Sequence, residues 1–329
     1  MKDILEYLFS YNTLKMEEAK SIMLQIPRGV FNEYEITSFM SVFMMRSITI
    51  DELWGFTDAL KETAVKVDLN TSDLVDIVGT GGDGKNTFNI STLACFVVAG
   101  TGQKVAKHGN IGASSVSGSS NVMQELGVKF TNDSELLKKQ LDQANICFLH
   151  APLFHPSLKK VAPMRKQLGF RTFFNMLGPL ANPTNPDYST IGVYNMEIAR
   201  LYNYYLQKVK SHFSIVHSLD GYDEISLTGE SIVIDEKGTQ LLNPQEFKSN
   251  KITKHDLYGG NTKEVAADLF IKILKGEGSL AQNEVVITNA AIALQNTQKF
   301  GDFEECRNLA KESLESGSAL NCLNQLISA

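Results

Sequence analysis

Apolar positions along the chain follow two different periods. After Asn32, the residues Ile36, Phe39, Met40, Phe43 and Met44 keep an i, i+3, i+4, i+7, i+8 stripe. After Thr49, Leu53, Phe56, Leu60 and Ala64 do the same. Each stripe is preceded by a cap residue with Glu three positions on, Asn32 with Glu35 and Thr49 with Glu52, which is the capping-box pattern. The first sixty-odd residues are therefore predicted to be wholly helical. A Met- and Phe-rich stripe belongs in a core or in a subunit interface, and Phe39, Met40, Phe43 and Met44 suit either place.

From Leu74 the apolar runs shorten and alternate with helical segments. Strands are predicted at 74–78, 104–108, 146–150, 189–194 and 213–217, and helices at 133–144, 196–210 and 262–275. That alternation predicts an α/β fold with a mostly parallel central sheet flanked by helices. Residues 225–242 read as hairpin strands with turns at Thr228-Gly229 and Lys237-Gly238. Six of the eight prolines lie between Pro152 and Pro186, marking a segment that crosses between domains with one helix from about Ser157 to Leu168. The expected organisation is a small helical domain over 1–68, completed by a crossing segment near 160–186, and a larger α/β domain over 69–329.

Composition narrows the class. A chain of 329 residues, 43% hydrophobic and 21% charged, can bury a sizeable core. Its longest unbroken apolar stretch, Leu93 to Gly100, falls well short of the ~18 residues of a membrane span. Asp3 and Glu6 interrupt the N-terminus where a signal peptide runs apolar. Cys95, Cys147, Cys306 and Cys322 stand far apart, without a CxxC pair, so neither a zinc cluster nor a disulfide framework is expected. These features point to the cytoplasm, with no membrane partner.

A net charge of −6 disfavours a nucleic-acid partner. The charge is unevenly spread, however. No Asp or Glu occurs from Lys85 to Gln124, a stretch that holds Lys85, Lys104, Lys107 and His108, and nine of the 24 glycines lie between Gly79 and Gly118. A glycine-dense, acid-free stretch suits a phosphate-binding surface, although an ordinary Gly/Ser loop has the same composition.

The string Gly79-Thr-Gly81-Gly82-Asp83-Gly84-Lys85-Asn86 fits two nucleotide motifs at once. Gly79, Gly81 and Gly84 satisfy GxGxxG, but the acid that should hold a ribose diol about 20 residues on falls inside the acid-free stretch. Gly79-xxxx-Gly84-Lys85 begins a Walker A loop, yet Asn86 replaces the magnesium-binding hydroxyl and Thr87 stands one position late. The segment 87–90 reads extended, with the next helix opening at Ser91-Thr92. Common to both motifs is a glycine-rich turn near a helix N-terminus, suited to polyvalent anions.

The longer string from Asp76 to Thr92 resembles the anthranilate phosphoribosyltransferase family. The resemblance continues at Val105-Ala-Lys-His-Gly-Asn110, Ser114-Ser115-x-Ser117-Gly118-Ser119, His155-Pro156, Ala162-Pro-x-Arg165, Arg171-Thr-x-Phe-Asn175, Asp220-Gly-x-Asp223-Glu224-Ile-Ser226 and Asn289-Ala-Ala. It implies a nucleoside-phosphorylase-like pair of domains, and transfer of phosphoribose from phosphoribosyl pyrophosphate to the amine of anthranilate in tryptophan biosynthesis. It also implies a homodimer through the helical domain. By the same resemblance Gly79, Gly82, Asp83, Thr87, Asn89, Ile90, Ser91 and Thr92 hold the donor. Lys107, His108, Gly109, Asn110, Ile111, Gly112, Ala113, Ser114, Ser115 and Ser119 complete its cradle. Gly79, Asn110 and Arg165 meet anthranilate, with the planar guanidinium suited to its carboxylate. Ser91, Asp223 and Glu224 match the ligands of Mg²⁺. Lys107, with no acidic neighbour in sequence, is expected to carry the largest electrostatic role against the phosphates. His108 and His155 either line the acceptor site or shape their turns.

Three positions depart from the family pattern. Ile111 stands where Arg is usual, Asn121 where Asp is usual, and Lys160 where His is frequent. Two rivals share the fold. A pyrimidine nucleoside phosphorylase uses a different Gly/Ser/Lys loop and leaves Asn110 and Arg165 unexplained, whereas a nucleic-acid-binding relative needs a basic face.

Overall fold

The computed structural model describes residues 1–112, 117–209, 212–247 and 252–329. The N-terminal region forms four helices, α1 (Lys2–Phe9), α2 (Met16–Gln25), α3 (Glu33–Met45) and α4 (Ile50–Thr63). Both capping boxes form. Asn32 Oδ1 accepts from Glu35 N at 3.0 Å and Thr49 Oγ1 from Glu52 N at 3.3 Å, and each glutamate returns a bond to its cap N–H. Glu52 does more than cap. Fully buried, it pairs with Arg46 at 2.6 Å and accepts from Leu14 N at 2.9 Å, so one carboxylate ties the turn before α2 to the turn before α4.

The aromatic stripe faces inward. Phe39, Phe43 and Phe56 gather around Phe173 with centroids 6.0, 4.9 and 4.7 Å away, and Met40 is buried beside them. Phe39, Met40 and Phe43 are thus spent in the core, and of the four candidate interface residues only Met44 is exposed. The same core takes in Val161, Met164, Leu177 and Leu180 from the proline-rich segment, and Ile191 and Phe213 from the sheet.

The sheet has seven strands: β1 (Val75–Gly79), β2 (Val105–Gly109), β3 (Ile146–His150), β4 (Tyr188–Gly192), β5 (His212–Ser218), β6 (Ser231–Asp235) and β7 (Gly238–Leu242). Their order is β3-β2-β1-β4-β5-β6-β7, parallel as far as β5 and antiparallel at β6 and β7. On one face, helices Ile90–Gly100, Leu280–Asn296 and Ser318–Ser328 build a second core. β1 lies between β2 and β4, so the chain reverses its direction of growth there. In such sheets the crevice beyond the carboxyl ends of the strands at the reversal is where ligands bind.

Three local expectations are corrected. Residues 225–230 form no strand; β6 pairs with β5 instead, leaving 219–230 as a loop over the sheet's carboxyl end. Its serine, threonine and Asp220 bond among themselves, with Thr228 Oγ1 donating to Asp220 and Ser226 Oγ beside Thr228 Oγ1 at 2.8 Å, so local side-chain bonds displace the ladder. The β6–β7 turn is Glu236-Lys237, one residue earlier than expected, because Asp235 Oδ1 accepts from both Lys237 N and Gly238 N. The helix placed at 157–168 is a 3-10 turn (Pro156–Lys160) followed by an α-helix (Ala162–Leu168) that opens on Pro163.

Candidate active site

The crevice between the ends of β1 and β4 is filled by Asp223. Its Oδ2 accepts the Gly81 N–H at 2.6 Å. A Cβ on Gly79 would stand 2.3 Å from Asp223 Oδ2, and one on Gly192 would stand 1.6 Å from the Asp223 carbonyl oxygen. The glycines ending these two strands are therefore what lets the acidic loop reach the sheet. Gly81 and Gly82 follow at φ +62° and +75°, a conformation that L side chains rarely adopt, and the Thr80 N–H donates to the Gly192 carbonyl at 2.9 Å.

Glu224 lies beside Asp223. It accepts the backbone N–H of Ser91, in the first turn of helix Ile90–Gly100, and the Thr87 hydroxyl stands 3.5 Å from its Oε2. That helix begins at Ile90, one residue before the expected Ser91. Asp83 completes an acidic trio, with Oδ1 accepting from Lys85 N at 3.0 Å and Oδ2 buried without a partner. Burial and mutual repulsion push Asp223 up to about 7 and Glu224 well above the usual carboxylate range, and burial pushes Asp83 in the same direction. Among the described residues, no three His, Cys, Asp or Glu side chains come together as a metal site on their own. One buried and one partly buried carboxylate, with an orphaned carboxylate oxygen beside the glycine turn, do fit a hard divalent cation whose remaining oxygens come from a bound polyphosphate.

Lys107 has acidic neighbours in space though none in sequence. Buried on β2, it donates from Nζ to the Ile77 carbonyl at 2.6 Å, and its charge bears on Asp76, Asp223 and Glu224. Asp76, equally buried, accepts from His108 N at 3.3 Å and from Asn182 Nδ2 at 2.9 Å. This lysine is a fixed positive charge under the site.

Beyond β2, Asn110 is exposed, and its Oδ1 accepts from Ile111 N at 2.8 Å. Ser119 Oγ accepts from Asn110 N at 3.2 Å, and a Cβ on Gly109 would press on that same Oγ. Ala113, Ser114 and Ser115 lie outside the described residues. Asn89 holds the loop to the helix start through Nδ2 and the Ser117 carbonyl, 3.3 Å apart. Ile90 and Thr92 are buried, so what they can offer a ligand is backbone.

Arg165 sits on helix Ala162–Leu168, 5.6 Å over the Phe174 ring, with Nη2 donating to Asn175 Oδ1 at 3.2 Å. His108 and His155 meet edge to face, 5.2 Å between centroids. His108 Nδ1 lies 3.3 Å from the Gly178 carbonyl, while its Nε2 and both nitrogens of His155 are buried without a well-formed hydrogen bond. Desolvation pushes His108 down to about 3 and His155 to about 4.

Several site residues carry no individual role in the sequence reading. Asp76, Arg171 and Asn175 sit inside the quoted motifs, which was their only signal. Arg171 lies 4.5 Å over Tyr194 and close enough to Asp83 to favour its charge, while its Cδ occupies the space a Gly82 Cβ would need. His150, whose Nδ1 stands 2.9 Å from Ser120 Oγ, gave no signal.

The architecture is a helical bundle beside an α/β domain whose crevice, at the carboxyl ends of the parallel strands, is lined by glycines and acids. Residues 2–64 match the helical bundle domain of the glycosyl transferase family and residues 71–320 its α/β domain. The anthranilate phosphoribosyltransferase of Flavobacterium psychrophilum is 52% identical over 326 residues, 99% of this chain and 98% of that protein. That of Cytophaga hutchinsonii is 52% identical over 327 residues, 99% of this chain and all of the relative. The crystal structure of the Thermus thermophilus enzyme superposes with a TM-score of 0.90 at 33% identity, covering 98% of both chains. The Saccharomyces cerevisiae enzyme in complex with PRPP and Mg superposes at 0.89 with 28% identity, over 98% of this chain and 96% of that one. The chain belongs to the anthranilate phosphoribosyltransferase family, enzymes of tryptophan biosynthesis.

Proposed function

We propose that this chain transfers the phosphoribosyl group of phosphoribosyl pyrophosphate to the amine of anthranilate, giving N-(5-phosphoribosyl)anthranilate and pyrophosphate. The observation that carries this is the pair Asp223–Glu224, with Asp223 packed against the glycines that end β1 and β4 and desolvation opposing the charge of both carboxylates. Such a pair is at ease in its charged form only beside a cation. Magnesium, present with PRPP in the yeast complex, would offset the charge that develops on the departing pyrophosphate.

The chain's own groups divide the remaining work. Asp223 and Glu224 hold the metal, with the Ser91 hydroxyl beside them. Gly79 and Gly82, with Asp83, Thr87 and Asn89 to Thr92, hold the donor. Lys107 to Ser115 and Ser119 complete the cradle for its phosphates, and Lys107 keeps the floor of the site positive. Arg165 meets the acceptor carboxylate, and Asn110 and Gly79 set the amine against the anomeric carbon. The carbon–oxygen bond to pyrophosphate breaks ahead of carbon–nitrogen bond formation, and the amine's proton then passes to the released pyrophosphate, directly or through solvent. Placement does most of this, with no covalent nucleophile.

The helical domain ends near residue 68, and the segment 160–186 completes it, a division supported by their shared core. Exposed Tyr7, Phe9, Tyr11, Tyr34, Met44 and Met45 on and beside α1 and α3 support a homodimer through this domain. Four unpaired buried cysteines suit a reducing cytoplasm. The test is direct. Purified protein with anthranilate, phosphoribosyl pyrophosphate and Mg²⁺ should quench anthranilate fluorescence, and no quenching at any magnesium concentration would refute the proposal.

A further inference from the structure

Asn121 lies in the first turn of the short helix Ser119–Glu125 and is buried. Its Oδ1 accepts two backbone hydrogen bonds from opposite sides of one loop, from Gly112 N at 3.1 Å and from Gly118 N at 3.0 Å. The two sides are in close contact there, since a Cβ on Gly118 would stand 2.2 Å from Gly112 N and 2.7 Å from Asn110 O. Ser120 N adds a bond to Asn110 O at 3.1 Å, and Ser120 Oγ meets His150 Nδ1 at 2.9 Å, with that ring stacked on Phe130. The chain leaving β2 through Asn110 thus passes a neck whose width is set by one side-chain oxygen.

We propose that Asn121 is a positioning residue for the phosphorylated donor, closing the neck of the donor loop with an acceptor that carries no charge. The proposal rests on the assignment of this loop to the donor. An aspartate here would accept the same two N–H groups more strongly. It would also place the only carboxylate between Lys85 and Gln124 beside the polyphosphate. Ile111, half exposed next to the neck, belongs to the same arrangement. Relative to the family pattern, the chain lacks one cation at 111 and one anion at 121, so the local charge is unchanged.

The test is a calorimetric titration of Mg²⁺–phosphoribosyl pyrophosphate into the wild type, Asn121→Ala, Asn121→Asp and the double variant Asn121→Asp with Ile111→Arg. Melting temperatures and the KM for anthranilate are measured alongside. Asn121→Ala should weaken donor binding about tenfold through the two lost bonds and leave the anthranilate KM within about twofold. Asn121→Asp should keep the wild-type melting temperature and weaken donor binding severalfold at low salt, an effect that shrinks as salt is added. The double variant should recover. Wild-type donor affinity in Asn121→Ala overturns the neck. Wild-type affinity in Asn121→Asp at low salt, or no recovery in the double variant, overturns the charge argument; both hold the clamp closed and so report even if the alanine variant unfolds. A wild type that binds no donor overturns proposal and underlying function together, whereas one that binds donor without turnover fails the function alone.

Discussion

Gly79 and Asp223 are packed so closely that one added carbon would collide, a Cβ on the glycine standing 2.3 Å from the Asp223 Oδ2. Gly192 closes the other side against the Asp223 backbone, so the aspartate cannot retreat without moving its loop. Gly79→Ala should therefore fold with a modest loss, about 1–3 kcal/mol for an overpacked site. Its magnesium requirement should rise and its turnover fall roughly a hundredfold, the scale of misplacing a group by about 1 Å. A magnesium titration of activity together with a melting curve checks this, and wild-type magnesium dependence would show that the contact does not matter.

The acidic pair trades stability for function. Asp223 is buried and Glu224 partly so, and the charge of Asp223 raises the cost of charging Glu224. Replacing them by isosteric amides, Asp223→Asn with Glu224→Gln, should abolish magnesium-dependent turnover and raise the melting temperature of the metal-free protein. Added Mg²⁺ should stabilise the wild type and leave the double variant unmoved. A metal-free variant that melts below the wild type would contradict this.

Much of this was legible in the chain. Both capping boxes and all five parallel strands lie within a residue or two of their expected places, because period and cap chemistry are local properties. The Asp223–Glu224 pair was legible as a motif, but its place between the ends of β1 and β4 was not, since nothing local brings residue 223 to residue 79. Lys107 shows the same limit from the other side. An acid-free stretch of sequence left it without visible partners, and parallel pairing then set it under Asp76 and the acidic pair. The false strand at 225–228 failed for a local reason, its hydroxyls satisfying one another in a loop.

His108 and His155 predict how stability varies with pH. Burial holds them at about 3 and about 4, below the ~6.5 of an unfolded histidine. The unfolded chain therefore binds more protons than the folded one between those limits. Their contribution is complete above about pH 6.5 and is lost as pH falls, by about 1.4 kcal/mol per unit for each histidine. Asp223, held at about 7, and Glu224 tilt stability the other way over the same range, so the test is a difference: denaturant unfolding from pH 7 to pH 5 should give His155→Gln a slope lower than that of the wild type by up to about 1.4 kcal/mol per unit. An unchanged slope would refute the assignment.

The helical domain predicts its own association. Tyr11, Tyr34 and Met45 are 80%, 86% and 83% exposed, although the neighbouring stripe is buried. Sedimentation at micromolar concentration should give a dimer, and Tyr34→Lys with Met45→Lys should shift it towards monomer without altering the far-ultraviolet spectrum. A wild-type monomer would remove the helical face as an interface.

Lys107 and Asp76 separate structural from catalytic charge. Lys107 supports three carboxylates at once, two of them buried, whereas Asp76 is also held by Asn182 and by the His108 N–H. Lys107→Met should cost about 3–5 kcal/mol, the scale of leaving a buried charge unanswered. It should also weaken binding of the magnesium–donor complex. Adding Asp76→Asn removes the stranded charge and should return a large part of the stability, giving a coupling well above the few tenths expected of independent sites. Donor binding should stay weak in the double variant, because Asp223 and Glu224 still lack the positive charge beneath them. Chemical denaturation and donor titration on the same four proteins distinguish the two effects. Recovery of both properties together would mean that Lys107 serves only the fold.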